Sequence, residues 1–460
     1  MSVTSLDAAA RGATEEAGAP ALSKSVKSRQ GERLYVLDLL RFVAAIIVLV
    51  YHLMPVATQA YASYIFGVPA FHYSRYGWLG VDLFFLISGF VICMSSWGRG
   101  TGQFITSRIT RLMPAYWVAV PIALMFRTLW PENPDDPAPP LSDALANLTM
   151  TQGLRGIADL DGVYWTLLVE LKFYLIFAAV VWFGLSYRRV ITFCLLWTAL
   201  AIFAQHSQQQ LLIALLEPKY TSHFVAGITL YLIYRFGPNL FLWGMLAVSW
   251  IFCVLSVKNI VGERVAAGEN LTLKTGALVI TVFYLIMIGV ALGWFSWIRW
   301  RGLVLVGSLT YPVYLLHNTI GPVAIRRLND SVPRWLLMIG VFTGIMLAGY
   351  LVHRFVERPG AKMLRRGLVR SFDQIRDGSR LSARPDPAGD VRSPATVPTE
   401  VTSVGTGRVE PMAADVSPIG TPAGTSASAP SALGGPAQSK SALDAPTVAL
   451  PTLTSSKGTQ

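Results

Sequence analysis

Charge is scarce in this chain. Of its 460 residues only 14% are Asp, Glu, Lys or Arg, while 53% are hydrophobic, and the mean hydropathy is +0.48. Soluble domains carry about 25% charge, so an ordinary water-exposed globule is excluded. Cysteine is nearly absent as well: Cys93, Cys194 and Cys253 each sit inside an apolar run. With no C-x-x-C pair and no disulfide framework, a structural zinc module and a stapled secreted domain are excluded, and no metal is expected. The sequence also lacks a G-x-S-x-G elbow, a Walker loop, a G-x-G-x-x-G turn and an H-E-x-x-H pair. The soluble chemistries those motifs serve have no footing here. Residues 1–34 and 373–460 contain no Phe, Trp or Tyr and are rich in Ala, Gly, Ser, Thr and Pro. Such compositions bury too little to fold, so both ends are expected to be disordered tails.

What lies between, residues 35–372, is one apolar unit. It contains ten runs of membrane-spanning length, near 35–55, 77–97, 113–130, 164–185, 189–206, 221–236, 239–258, 273–295, 302–323 and 334–354. The expected fold is therefore all-α: a polytopic membrane protein of about ten transmembrane helices. The net charge of +12 tests that arrangement. A nucleic-acid binder would gather its basic residues on one soluble face. Here the two tails are nearly neutral, and the excess falls in alternate loops: SWGRGTGQFITSRIT, SYRR, RFGPN, SWIRWRG and RFVERPGAKMLRRGLVR, in which Glu357 is the one acid. The opposite loops, including PENPDDPAPP and GIADLDG, hold acids that offset their basic residues. This is the positive-inside pattern, which places both termini in the cytoplasm and leaves nucleic acid out.

Ionisable groups at membrane depth are costly and mark functional sites. They are few: Asp38, Arg41 and His52 in the first run, Asp82 in the second, Glu170 and Lys172 in the fourth, and His317 in the ninth. His223 and His353 fall near run ends, and His72 and His206 in outer loops. Arg41 and His52 are eleven residues apart, which on a helix puts them about 20° apart in angle and roughly 16 Å apart in depth. Both should face one interior channel. Glu170, in VYWTLLVELKFYLIF, should lie near the depth of His52, where a carboxylate can orient an imidazole; a structural pair of Glu170 with an arginine, or less readily with Lys172, competes with that role. Arg108 and Arg111 at i,i+3 suit either a bidentate grip on phosphates or plain lipid anchoring. Ser88 reads as packing between helices rather than as a nucleophile, and His317 as either a helix-end or a pocket residue.

Taken in order, LDLLRFVAAIIVLVYH, GVDLFFLISGFVI, RITRLMPAYW, WTLLVELKFYLIF, SHFVAGITLYL, GSLTYPVYLLHN and RFVERPG resemble the acyltransferase-3 family of bacterial integral-membrane O-acyltransferases. The likeness is greatest to short exopolysaccharide O-acetylating members, and it spans residues 35 to 360. It implies transfer of an acyl group, usually acetyl, from cytoplasmic acyl-CoA to a hydroxyl of an envelope sugar or a secreted metabolite, at the bacterial inner membrane. Carried over by motif, His52 is the catalytic histidine, Arg41 its helix partner and Glu170 the acid of the fourth block. Arg108 and Arg111 meet the CoA phosphates. Asp38, Asp82, Trp165, Tyr174 and His317 are further pocket candidates. Position 172 is Lys, a departure from many relatives that could alter the charge around Glu170.

The expected partners are acyl-CoA, a glycan or lipid-linked saccharide acceptor, and membrane lipids. A different class competes with this reading: a transporter or flippase for a lipid-linked sugar or organic acid, using the same buried charges as its pathway.

Overall fold

The computed structural model describes residues 34–131 and 135–382. All regular structure among them is helical: α1 (Tyr35–Ala60), α2 (Val68–Ser74), α3 (Leu79–Ser96), α4 (Thr101–Leu129), α5 (Leu141–Asn147), α6 (Trp165–Trp182), α7 (Tyr187–Ser207), α8 (Gln210–Leu216), α9 (Pro218–Phe236), α10 (Leu240–Ala266), α11 (Leu273–Leu292), α12 (Gly302–Leu328), α13 (Arg334–Val352) and α14 (Arg358–Ser382). A π-helical turn, His353–Glu357, joins the last two. The expected all-α fold is present. The chain divides into two units, and every feature described below belongs to the first, whose described residues run to Phe372. Residues 1–33 and 383–460, where the tails are expected, lie outside the described residues, but α14 continues to Ser382, past the expected boundary at 372.

Nine helices among the described residues are long and apolar enough to cross a membrane. The remaining expected run, 221–236, falls in α9, which is not among those nine. Its polar residues Lys219, Thr221, Ser222, His223 and Thr229 lower its hydropathy. They cost little because α9 is almost wholly inside the bundle: from Tyr220 through Ile233 every residue is buried. It packs along α3 and between α7, α10 and α11, while α1 packs along α12 and α12 along α13. The α3–α9 crossing is built on glycine. A Cβ on Gly89 would run into the Phe224 backbone, and one on Gly227 into the backbone of Leu86 and Phe90. Without a hydrophobic force between helices in lipid, close backbone approach of this kind holds the pair.

Close approach also sets the first helix. Gly307 of α12 admits Asp38 of α1, since a Cβ there would lie 2.6 Å from the Asp38 Cβ. Asp38 and Arg41, one turn on, are thereby brought to the α12 side of the bundle.

Candidate active site

A cavity of about 80 Å³ lies between α1, α3, α4, α6 and α12. Along α3 its wall runs from Val81 to Ile92, a length of about 16 Å at the helical rise. Arg41, Arg108 and Arg111 line it together with Glu170 and Tyr174. The rest of its wall includes Phe84, Phe85, Thr166 and Tyr314.

Each cation is positioned by its helix. The i,i+3 spacing on α4 turns Arg108 and Arg111 to the same wall, and the Arg108 guanidinium lies 5.8 Å from both the Phe104 and Tyr174 ring centres. Arg108 also donates to Ser107 Oγ (3.1 Å) and Ser95 Oγ (3.2 Å). Arg41 is surrounded electrostatically by Arg111, Asp38 and Glu170. Glu170 Oε1 accepts from Tyr174 Oη at 2.6 Å and from Ser88 Oγ at 2.8 Å. A carboxylate so held balances guanidinium groups that would otherwise repel one another.

This placement differs from expectation in three respects. Glu170 does not attend His52; it serves the arginine cluster, because α6 brings it to α3 and α4 rather than to the His52 half of α1. Lys172 does not change the charge at Glu170, since two residues along a helix face different ways: its Nζ meets Glu217 Oε1 at 2.5 Å. Ser88 is more than packing, being one of the two donors to Glu170.

His52 and Arg41 do not share one open channel either. Arg41 lines the cavity, whereas His52 does not, and the ring of His52 lies 5.3 Å from that of His317. Tyr314 adjoins both the cavity and the histidine pair. It lines the cavity, its ring is 5.6 Å from His317 and 5.7 Å from Phe84, and its hydroxyl is bonded to Thr166 Oγ1 at 2.8 Å. Helical angle alone could not reveal this, because Tyr314 and His317 come from α12.

The remaining candidates lie apart. Asp82 is buried beside His223, Oδ1 to Nε2 3.6 Å, on the α9 side of α3. Trp165 packs against Tyr220 with ring centres 5.4 Å apart. Tyr311, Tyr314 and Asp161 carry the geometry without having been singled out from the sequence. The first two lie in the GSLTYPVYLLHN block, and Asp161 lies in the acidic loop GIADLDG. Among the described residues no group of three or more His, Cys, Asp and Glu side chains is arranged to hold a metal.

A family model described as an acyltransferase domain matches residues 34–354. The chain belongs to the acyltransferase-3 family. No curated protein and no solved structure matches it. With the helices above, the family makes this a multi-pass membrane acyltransferase. Its match ends at residue 354, within the π-helical turn, and covers every residue of the cavity and both histidines of the outer pair.

Proposed function

We propose that this acyltransferase takes an acyl group, acetyl in the first instance, from cytoplasmic acyl-CoA and places it on a hydroxyl of a cell-envelope or exported glycan, with His52 as general base. The observation that carries the reading is the cavity itself, three guanidinium groups on its wall and the His52–His317 pair beside Tyr314. Arginine suits phosphate because its planar fork binds two oxygens at once. A CoA head group held by Arg108 and Arg111 would send its extended arm along the wall past Arg41. The thioester would then approach Tyr314, whose side chain must yield for the acyl carbon to meet His52. A neutral His52 takes the hydroxyl proton as the oxygen attacks. In this reading the protein sits in a bacterial inner membrane with both termini cytoplasmic.

Detergent-purified protein tests the donor. Acetyl-CoA at 100 times its dissociation constant should stabilise the fold by about 2.7 kcal/mol, and Arg108→Ala with Arg111→Ala should abolish the shift. A shift with a saccharide and none with acetyl-CoA would overturn the donor assignment and favour transport. His52→Ala, correctly inserted, should lose acyl transfer by a factor of about 10² or more while keeping the acetyl-CoA shift.

A further inference from the structure

His317 is fully buried, and its Nδ1 lies 2.8 Å from the carbonyl oxygen of Tyr314. A carbonyl only accepts, so Nδ1 carries the proton, and in the neutral ring Nε2 is then a bare lone pair. That Nε2 is buried without a hydrogen-bond partner. Buried polar atoms are nearly always satisfied, and an exception calls for a reason. The neighbour is His52, with ring centres 5.3 Å apart and planes inclined by 56°. Two imidazoles joined by an N–H···N bond have centres about 5 Å apart. The separation is that of a bonded pair.

A carboxylate stands behind His317. Asp161 is buried, and its Oδ1 accepts from Val163 N at 3.1 Å and Asn318 Nδ2 at 2.8 Å, while Oδ2 accepts from the Thr319 hydroxyl. Asn318 and Thr319 directly follow His317, so these bonds tie the acid to that turn of α12. All three donors are neutral, and the field of the acid reaches the His317 ring. The titratable and charged groups facing His52 are then Tyr51 on its own helix, His317 from α12 and Arg264 from α10. The guanidinium of Arg264 lies 5.5 Å from the Tyr51 ring centre. Arg264 is itself paired with Glu269, Nη1 to Oε1 3.2 Å, and the acid on the His317 side is Asp161.

We propose that His317, backed by Asp161, is the positioning partner of His52: His317 Nε2 accepts the N–H of His52 and leaves the other nitrogen of His52 facing the acceptor hydroxyl. The proposal rests on the reading of His52 as general base. In the transfer step the hydroxyl proton passes to His52 as the oxygen bonds to the acyl carbon. Collapse of the resulting oxyanion breaks the carbon–sulfur bond, and the leaving thiolate takes the proton back from His52. Products are the ester and free CoA thiol, and both histidines return to neutral. While His52 is protonated its bond to His317 is charge-assisted, in the manner by which an acid steadies a histidine elsewhere.

The test compares His317→Leu, His317→Gln and Asp161→Asn in the full-length, detergent-purified protein. Acetyl transfer is measured, and so is the rate at which diethylpyrocarbonate modifies His52, followed by mass spectrometry against pH. His317→Leu should lower kcat by about 10²-fold with the KM for acetyl-CoA within two-fold. His317→Gln, which keeps an acceptor oxygen, should recover about ten-fold of that loss. In the Leu and Asn variants the pH midpoint of His52 modification should fall by about one unit. An unchanged midpoint, or loss of acetyl-CoA binding in parallel with kcat, would overturn the pairing. If the wild-type protein moves no acetyl group from CoA, the donor reading fails, while the midpoint still decides the pairing. Should the Leu variant not insert, the Gln and Asn variants carry the same comparison.

Discussion

Glu170 shows how much a single residue discloses. A carboxylate in an apolar run announces a site, because burial of a lone charge is costly, but it does not name its partners. Those are Tyr174, one turn along the same helix, and Ser88 from α3, both bonded to one oxygen. Tyr174 was within reach of i,i+4 reasoning, whereas Ser88 depends on how α3 packs against α6. Since both donors serve Oε1, their effects should couple. Tyr174→Phe and Ser88→Ala should each cost about 1–2 kcal/mol. The double variant should cost more than their sum by at least about 0.5 kcal/mol, because it strips the carboxylate while Arg41 and Arg108 remain near it. Thermal unfolding of the three proteins measures this, and strict additivity would show that Glu170 draws its support from elsewhere.

Helices were the most legible level. Runs of apolar residues mark ten segments, and each corresponds to a helix, because length and hydrophobicity are properties of a segment alone. Crossings are properties of pairs, and there the sequence is silent. Nothing in SHFVAGITLYL says that Gly227 meets α3 rather than lipid. Similarly, the eleven-residue spacing of Arg41 and His52 puts both on one face of α1, but it could not show that Arg41 lines the cavity while His52 lies against His317 of α12. Gly227 makes the crossing testable. A methyl group there meets backbone atoms of Leu86 and Phe90, which cannot rotate away, so Gly227→Ala should destabilise by about 1–3 kcal/mol. Gly244 of α10 has nothing within 4 Å, and Gly244→Ala should be neutral or gain up to about 1 kcal/mol from helix propensity. Equal unfolding temperatures for the two variants would mean that the α3–α9 contact yields where it looks rigid.

The same helices also carry a polar strut. Lys172 of α6 reaches Glu217, which precedes α9, with side chains about one-tenth and one-quarter exposed. Removing one member of such a pair strands the other, which costs more than removing both. Lys172→Met should therefore lower the unfolding temperature more than Lys172→Met with Glu217→Gln. Acetyl-CoA binding should persist in both, since Lys172 faces away from Glu170. Loss of binding in the single variant alone would return Lys172 to the site.

At the scale of the whole molecule, charge and cavity share an axis. Alternation of the helices brings Arg99, Arg188, Arg189, Arg301 and the basic stretch after Val352 to one end of the bundle, the end toward which Arg108 and Arg111 lie on α4. Positive loops face the cytoplasm, and CoA thioesters are cytoplasmic, so one orientation must satisfy both. Had the basic end and the arginine-lined end been opposite, either the topology or the donor would be wrong. Labelling decides it. Cys93, Cys194 and Cys253 are all buried, so single introduced cysteines can be read against the natural background. In intact cells Ser142→Cys, exposed beyond the outer end of α4, should react with a membrane-impermeant maleimide. Gly100→Cys, exposed at the start of α4, should react only after permeabilisation. The reverse pattern would put Arg108 and Arg111 at the outer surface, out of reach of any cytoplasmic thioester. CoA would then be excluded as the donor even if the purified protein bound it, and the guanidinium cluster would have to serve an anionic ligand of the envelope instead.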